Sequence, residues 1–224
     1  MTSIALVPVV PVALDDDQRR IAHMAASVLL DYPDEADPGR LGTVRGAVAL
    51  LPRPVADAFV RFLDAAEGMG SRRLAEHYIE TFDRRRRCTL YLSYYDAGDT
   101  RKRGTAILAF RDALAATGWD LERKELPDFL PVVLELSARA EGPIAGDLLA
   151  SHREGLEVVR SALAQYGSPY EDVLAALCMS LPEIDDQTRE RYVSLVTQGP
   201  PAELVGISDT LPFPQFGAAK EARS

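Results

Sequence analysis

Apolar residues recur at the α-helical period along nearly the whole chain, and this repeat constrains the fold more than any other feature. Ile21, Met24, Ala25, Val28 and Leu29 fall at i, i+3, i+4, i+7 and i+8, which puts them on one stripe of a helix. Asp15, Asp16 and Asp17 precede the stripe, where negative charge suits a helix N-terminus, and Tyr32-Pro33 stops it. A second helix is expected over residues 40–51, ended by Pro52 and Pro54. A third carries Val55, Phe59, Phe62 and Leu63 and is closed by Gly68 and Gly70. Ser71 reads as the cap of a fourth, with Leu74, Tyr78 and Phe82 on one face.

Residues 88–97 are ambiguous, because Thr89, Tyr91, Ser93 and Tyr95 alternate with Leu90, Leu92 and Tyr94. A short helix is favoured over a strand, since both flanks are helical. Gly98 breaks it, and Asp99 or Thr100 caps a helix carrying Ile107, Phe110 and Leu114 as far as Gly118. A charged loop over 122–128 leads into the stripe Phe129, Val132, Val133, Leu136, with Pro131 tolerated in the first turn. One long helix is expected over Ile144–Tyr166, ended by Gly167, and a last one carries Tyr170, Val173, Leu174, Leu177 and Leu181. The expected fold is an all-α, single-domain bundle of about eight to ten helices. Residues 1–14 read as a flexible lead, 15–181 as the helical domain, and 182–224, with Pro200, Pro201, Pro212 and Pro214, as a poorly ordered tail.

At 224 residues the chain is long enough to bury a substantial core. Its net charge of −9 opposes nucleic acid and anionic membrane surfaces, both of which need positive potential, and suits a basic peptide. Cys88 and Cys178 form no Cys-x-x-Cys pair, the usage of a reducing, cytoplasmic compartment. No apolar run reaches the length of a membrane span. The uncharged run over 4–14 lacks a positive leader and is interrupted by Pro8 and Pro11, so it does not read as a signal peptide.

Reactive groups do not converge. His23, His77 and His152 sit singly in separate helices, without metal-ligand spacing. Phosphate-loop, dinucleotide and nucleophile-elbow motifs are missing. Cys88 follows four arginines that could lower its pKa, but a partly buried helix cysteine is the favoured reading. From Asp83 to Arg103 the chain carries +7 (Arg84, Arg85, Arg86, Arg87, Arg101, Lys102, Arg103) against −3 (Asp83, Asp96, Asp99). That local +4 in a chain of −9 leaves −13 elsewhere. Neutralisation by neighbouring carboxylates is favoured over an anion site. The alternatives are an enzyme that uses this run to hold an anionic or phosphorylated substrate, or a generic acidic adaptor.

Several of these residues stand in a recognisable order. Phe82-Asp83, Arg86-Arg87, Leu90-Tyr91-Leu92, Tyr95, Gly98-Asp99-Thr100-Arg101 and Arg103-Gly104, followed by Glu125-Leu126-Pro127-Asp128, resemble the NarJ family over roughly residues 15 to 180. These are assembly chaperones of respiratory nitrate reductase, related more distantly to the TorD and DmsD chaperones. The resemblance implies an all-helical cytoplasmic protein, with no tightly bound cofactor and no catalysis. It would hold the N-terminal segment of the apo catalytic α subunit as an amphipathic helix while the molybdenum cofactor is inserted, and would leave the finished complex. It is expected as a monomer or weak dimer, neither inserted in the membrane nor bound to nucleic acid. Carried onto this chain, Tyr91, Leu92, Tyr95, Glu125, Asp128 and Phe129 are the candidate peptide-binding residues. Asp83, Arg86, Arg87, Asp99, Arg101 and Arg103 are the candidate charge network behind them. Phe129 departs from the TorD and DmsD relatives, which characteristically have His there, so their proton-linked or nucleotide-linked roles do not carry over.

Overall fold

Asp15 opens the first helix through a reciprocal cap. Its carboxylate accepts from the Gln18 amide at 2.8 Å, and the Gln18 side chain accepts from the Asp15 amide at 3.2 Å. In the computed structural model the described residues are 9–34, 39–98, 102–118, 125–142 and 144–182. They form α1 (Asp16–Leu30), α2 (Arg40–Val48), α3 (Arg53–Met69), α4 (Ser71–Tyr78) and α5 (Ser93–Ala97), then α6 (Lys102–Ala116), α7 (Leu130–Arg139), α8 (Ile144–Ser151), α9 (Arg153–Tyr166) and α10 (Tyr170–Ser180). No strand occurs among the described residues, so the fold is all-α as expected. None of these helices is long and apolar enough to cross a membrane.

The centre is α1 against α7 and α10, with α3 and α9 flanking α10. Phe59 and Phe62 from α3, Leu134 from α7 and Leu174 from α10 are fully buried there. Tyr170 begins α10 beneath an aromatic cluster, with ring centroids 4.8 Å from Phe62 and 4.9 Å from Phe82. A π-helical turn over Ile79–Asp83 continues α4 and keeps Phe82 buried in that cluster. The Tyr78 hydroxyl donates to the Leu30 carbonyl at 3.0 Å, satisfying an acceptor at the end of α1.

Four local expectations change. Ser71 is the first residue of α4 rather than its cap; Gly70, at φ +74°, ends α3 and starts α4, a backbone conformation that favours glycine. The expected helix over 144–166 is two helices that break at His152. The His152 Nδ1 lies 2.8 Å from the Leu148 carbonyl, and its ring packs 4.9 Å from Phe110. Residues 88–97 are not one helix, since a 3₁₀ turn at Arg86–Cys88 leads into extended backbone before α5.

The fourth change is at the N-terminus, where residues 9–14 are held rather than loose. The Val9 amide donates to Glu157 Oε1 at 3.0 Å, Arg153 Nη2 donates to the Val9 carbonyl at 2.9 Å, and the Val12 amide donates to Met179 at 2.8 Å. Beneath this strap lies a buried ionic chain in which Arg160 donates to Glu157 at 2.7 Å and to Glu171 at 2.9 Å. Residues 183–224, the expected tail, lie outside the described residues.

Candidate functional site

The two halves of the sequence motif meet through a single antiparallel bridge between Tyr91 and Phe129. The Leu92 amide donates to the Asp128 carbonyl at 2.9 Å, and the Leu130 amide donates to the Leu90 carbonyl at 2.8 Å. This pairing explains why 88–97 departs from helix: the backbone groups of Leu90 and Leu92 are used across the chain. Asp128 is 0% exposed. Its Oδ2 accepts from the Ser93 amide at 3.3 Å and from the Ser93 hydroxyl, while Oδ1 has no hydrogen-bond partner. One buried carboxylate thus holds the start of α5 to the turn before α7.

Leu92 and Tyr95, expected in an apolar lining open to a partner, are instead inside the core at 2% exposure each. The Tyr95 hydroxyl donates to the Thr89 carbonyl at 2.8 Å and to the Arg87 carbonyl at 3.2 Å, and burial pushes its pKa well up. Phe129 is largely buried as well. What reaches the surface is a small ledge in front of this clamp. The Tyr91 ring, half-buried, lies 5.3 Å from that of Phe129, and its hydroxyl donates to Glu125 at 3.3 Å. Burial, then the Glu125 carboxylate, raises the Tyr91 pKa, so the phenol stays a donor. Arg103 sits over the same ring at 5.7 Å, and Leu126 beside it is 40% exposed. The ledge offers an aromatic face between one carboxylate and one guanidinium.

The expected charge network lies only partly within the described residues. Asp83, Arg86 and Arg87 are exposed, Arg103 joins the ledge, and Asp99 and Arg101 lie outside the described residues. The Arg84–Arg87 run is exposed throughout, with Arg85 stacked 4.1 Å over the Tyr166 ring. Cys88 is buried, and burial raises its thiol pKa to about 11 against the opposing effect of Arg85, so at neutral pH it is not a nucleophile. No cluster of metal-ligating side chains occurs among the described residues. Sequence reasoning missed Ser93, whose role depends on a carboxylate distant in the chain, and it missed the cavity where α1, α3 and α4 meet.

The sequence profile described as nitrate reductase delta subunit matches residues 49–176, more than half of the chain. The chain belongs to the nitrate reductase delta subunit family. The matched span contains both halves of the clamp and the ledge, while α1 lies before it. Among curated relatives of this family member, the nitrate reductase-like protein NarX of Mycobacterium tuberculosis is 38% identical over 158 residues. That alignment covers 70% of this chain but 24% of the relative, so the chain spans about a quarter of that protein's length. The probable nitrate reductase molybdenum cofactor assembly chaperone NarJ of Bacillus subtilis is 28% identical over 172 residues, covering 76% of this chain and 94% of the relative. The nitrate reductase molybdenum cofactor assembly chaperone NarJ of Escherichia coli is 32% identical over 153 residues, covering 67% and 65%.

Proposed function

We propose that this delta-subunit family member is a cytoplasmic assembly chaperone for nitrate reductase. It binds the N-terminal segment of the apo catalytic α subunit, assists insertion of the molybdenum cofactor, and is absent from the finished enzyme. It holds no cofactor tightly and performs no catalysis of its own. The observation that carries this reading is the similarity to the Bacillus subtilis chaperone over 94% of that protein's length. The ledge supports it from the chemical side. Tyr91 combines apolar area with a polar tip, and Glu125 and Arg103 beside it can set the register of a charged amphipathic helix. Leu92, Tyr95 and Asp128 then contribute by holding the ledge in place.

The test is co-expression of the apo α subunit with and without this chain. Co-purification, with higher cofactor content when the chain is present, is the expected result. Calorimetry with a synthetic peptide of the α-subunit N-terminus should show binding that Tyr91→Ala weakens about tenfold at little cost in stability. A protein that neither co-purifies with the α subunit nor binds its peptide is not this chaperone.

A further inference from the structure

We propose that the strap over residues 9–14 is a lid, which lifts as one unit while the helices stay folded and uncovers the Cys178 thiol and a cavity beside it. Its bonds gather at two residues. Arg153, 3% exposed, donates to the Val9 carbonyl at 2.9 Å and also to the carbonyls of Cys178 at 2.6 Å and Leu181 at 2.7 Å. The Val9 amide donates to Glu157, and the Val12 amide donates to the Met179 carbonyl. Val10 and Ala13 are exposed, and Val9, Pro11, Val12 and Leu14 are only half-buried. A segment with so little buried apolar surface stands at the low end of local stability.

Two features beneath the strap lower the cost of lifting it. Pro11, Val12, Ala13 and Leu14 border a cavity of about 630 Å³ that reaches across to α1, α7 and α8, so part of their inner face lacks close-packed neighbours. The other groups beneath are ions. Glu157 is fully buried, 2.7 Å from Arg160 and 3.8 Å from Arg153, and Arg153 Nε is buried without a hydrogen-bond partner. Water entering under a lifted strap solvates these charges and satisfies that donor. The opening also has a natural limit. When Val9 leaves, Arg153 keeps Cys178 and Leu181, and His23 still joins α1 to Ser137 of α7 and Ser180 of α10. Cys178 is fully buried, and burial, then Glu157, pushes its thiol pKa well up, so the carboxylate that holds Val9 is also the neighbour of this thiol. Cys88 is equally buried, but its charged neighbour is Arg85.

Pulse alkylation of the full chain with N-ethylmaleimide, read at each cysteine by mass spectrometry, tests this. The Cys178 rate should barely change with urea below the unfolding transition, because lifting a short segment exposes little surface. Val12→Pro removes the amide that donates to Met179 and should raise the Cys178 rate about tenfold, with the Cys88 rate within about twofold of wild type. Val10→Ser, at a side chain 73% exposed, should leave both rates within about twofold. Should Val12→Pro fail to fold, the urea dependence of the wild-type chain carries the test. A Cys178 rate that climbs with urea as steeply as global unfolding overturns the lid. So does a Val12→Pro variant in which Cys178 is no faster, or in which both cysteines quicken alike.

Discussion

The amide and hydroxyl of Ser93 both donate to Asp128 Oδ2, so one buried carboxylate fixes the start of α5 against the turn that launches α7. The two residues are 35 positions apart, and between them they set where Tyr91 and Phe129 stand. Asp128→Ala leaves the Ser93 donors without an acceptor inside the fold. Chemical denaturation should show a loss of about 1–3 kcal/mol. Peptide affinity should fall as well, because the ledge loses its support. An unchanged unfolding midpoint would mean that the carboxylate does not hold the clamp.

Gly155 on α9 lets its backbone pack directly against the Tyr95 side chain of α5. A Cβ built at this position would lie 2.9 Å from the Cβ of Tyr95, and Tyr95 is itself held by two backbone carbonyls. Neither side can yield cheaply. Gly155→Ala should therefore lower stability by about 1–3 kcal/mol, although alanine is the better helix former. A thermal midpoint at or above that of the wild type would contradict the packing.

His23 is buried, with Nδ1 2.8 Å from the Ser137 hydroxyl and Nε2 3.1 Å from that of Ser180. Burial, aided by Arg19, lowers its pKa from the ordinary 6.5 to about 4. In the unfolded chain the ring takes up a proton near 6.5, so between pH 6.5 and 4 the unfolded state binds more protons. Stability from this site is therefore full above pH 6.5 and is lost as pH falls toward 4. Measured at pH 7 and pH 5, the stability difference should shrink in His23→Gln relative to wild type. An identical difference in both proteins would show that His23 does not titrate this way.

Glu157 is fully buried between Arg160 and the Val9 amide, with the Arg153 guanidinium 3.8 Å away. Glu157→Ala leaves two buried guanidiniums without this counter-charge and releases one bond of the N-terminal strap. The expected loss is about 3–5 kcal/mol, the usual result of breaking a buried pair from one side. Hydrogen exchange at the Val9 and Val12 amides should quicken in the same variant. Slow exchange at both amides would show that the strap does not depend on Glu157.

Much of the helical inventory was legible because its causes are local. The helix carrying the stripe from Ile21 to Leu29 forms, but its buried face is centred on Ala22, Ala25, Ala26, Leu29 and Leu30, with Ile21, Met24 and Val28 only half-buried. The capping aspartate stands just before α1, and the glycine after Tyr166 ends α9 in the left-handed conformation. The candidate site was legible only as a set of residues. Tyr91, Glu125 and Phe129 do come together, but Leu92 and Tyr95 are turned into the core, a placement that alternation over 88–97 could not assign to one face.

The sequence by itself determined where most of the helices lie, because a period of 3.6 residues and a cap act within a few positions of chain. Only the tertiary structure decided the bridge from Tyr91 to Phe129, the break at His152 and the strap from Val9 to Glu157, whose ends are 148 positions apart. Those features rest on backbone groups and carboxylates finding partners that no local pattern specifies. The cavity where α1, α3 and α4 meet is of the same kind, since it exists only where the ends of separate helices fail to fill the space between them.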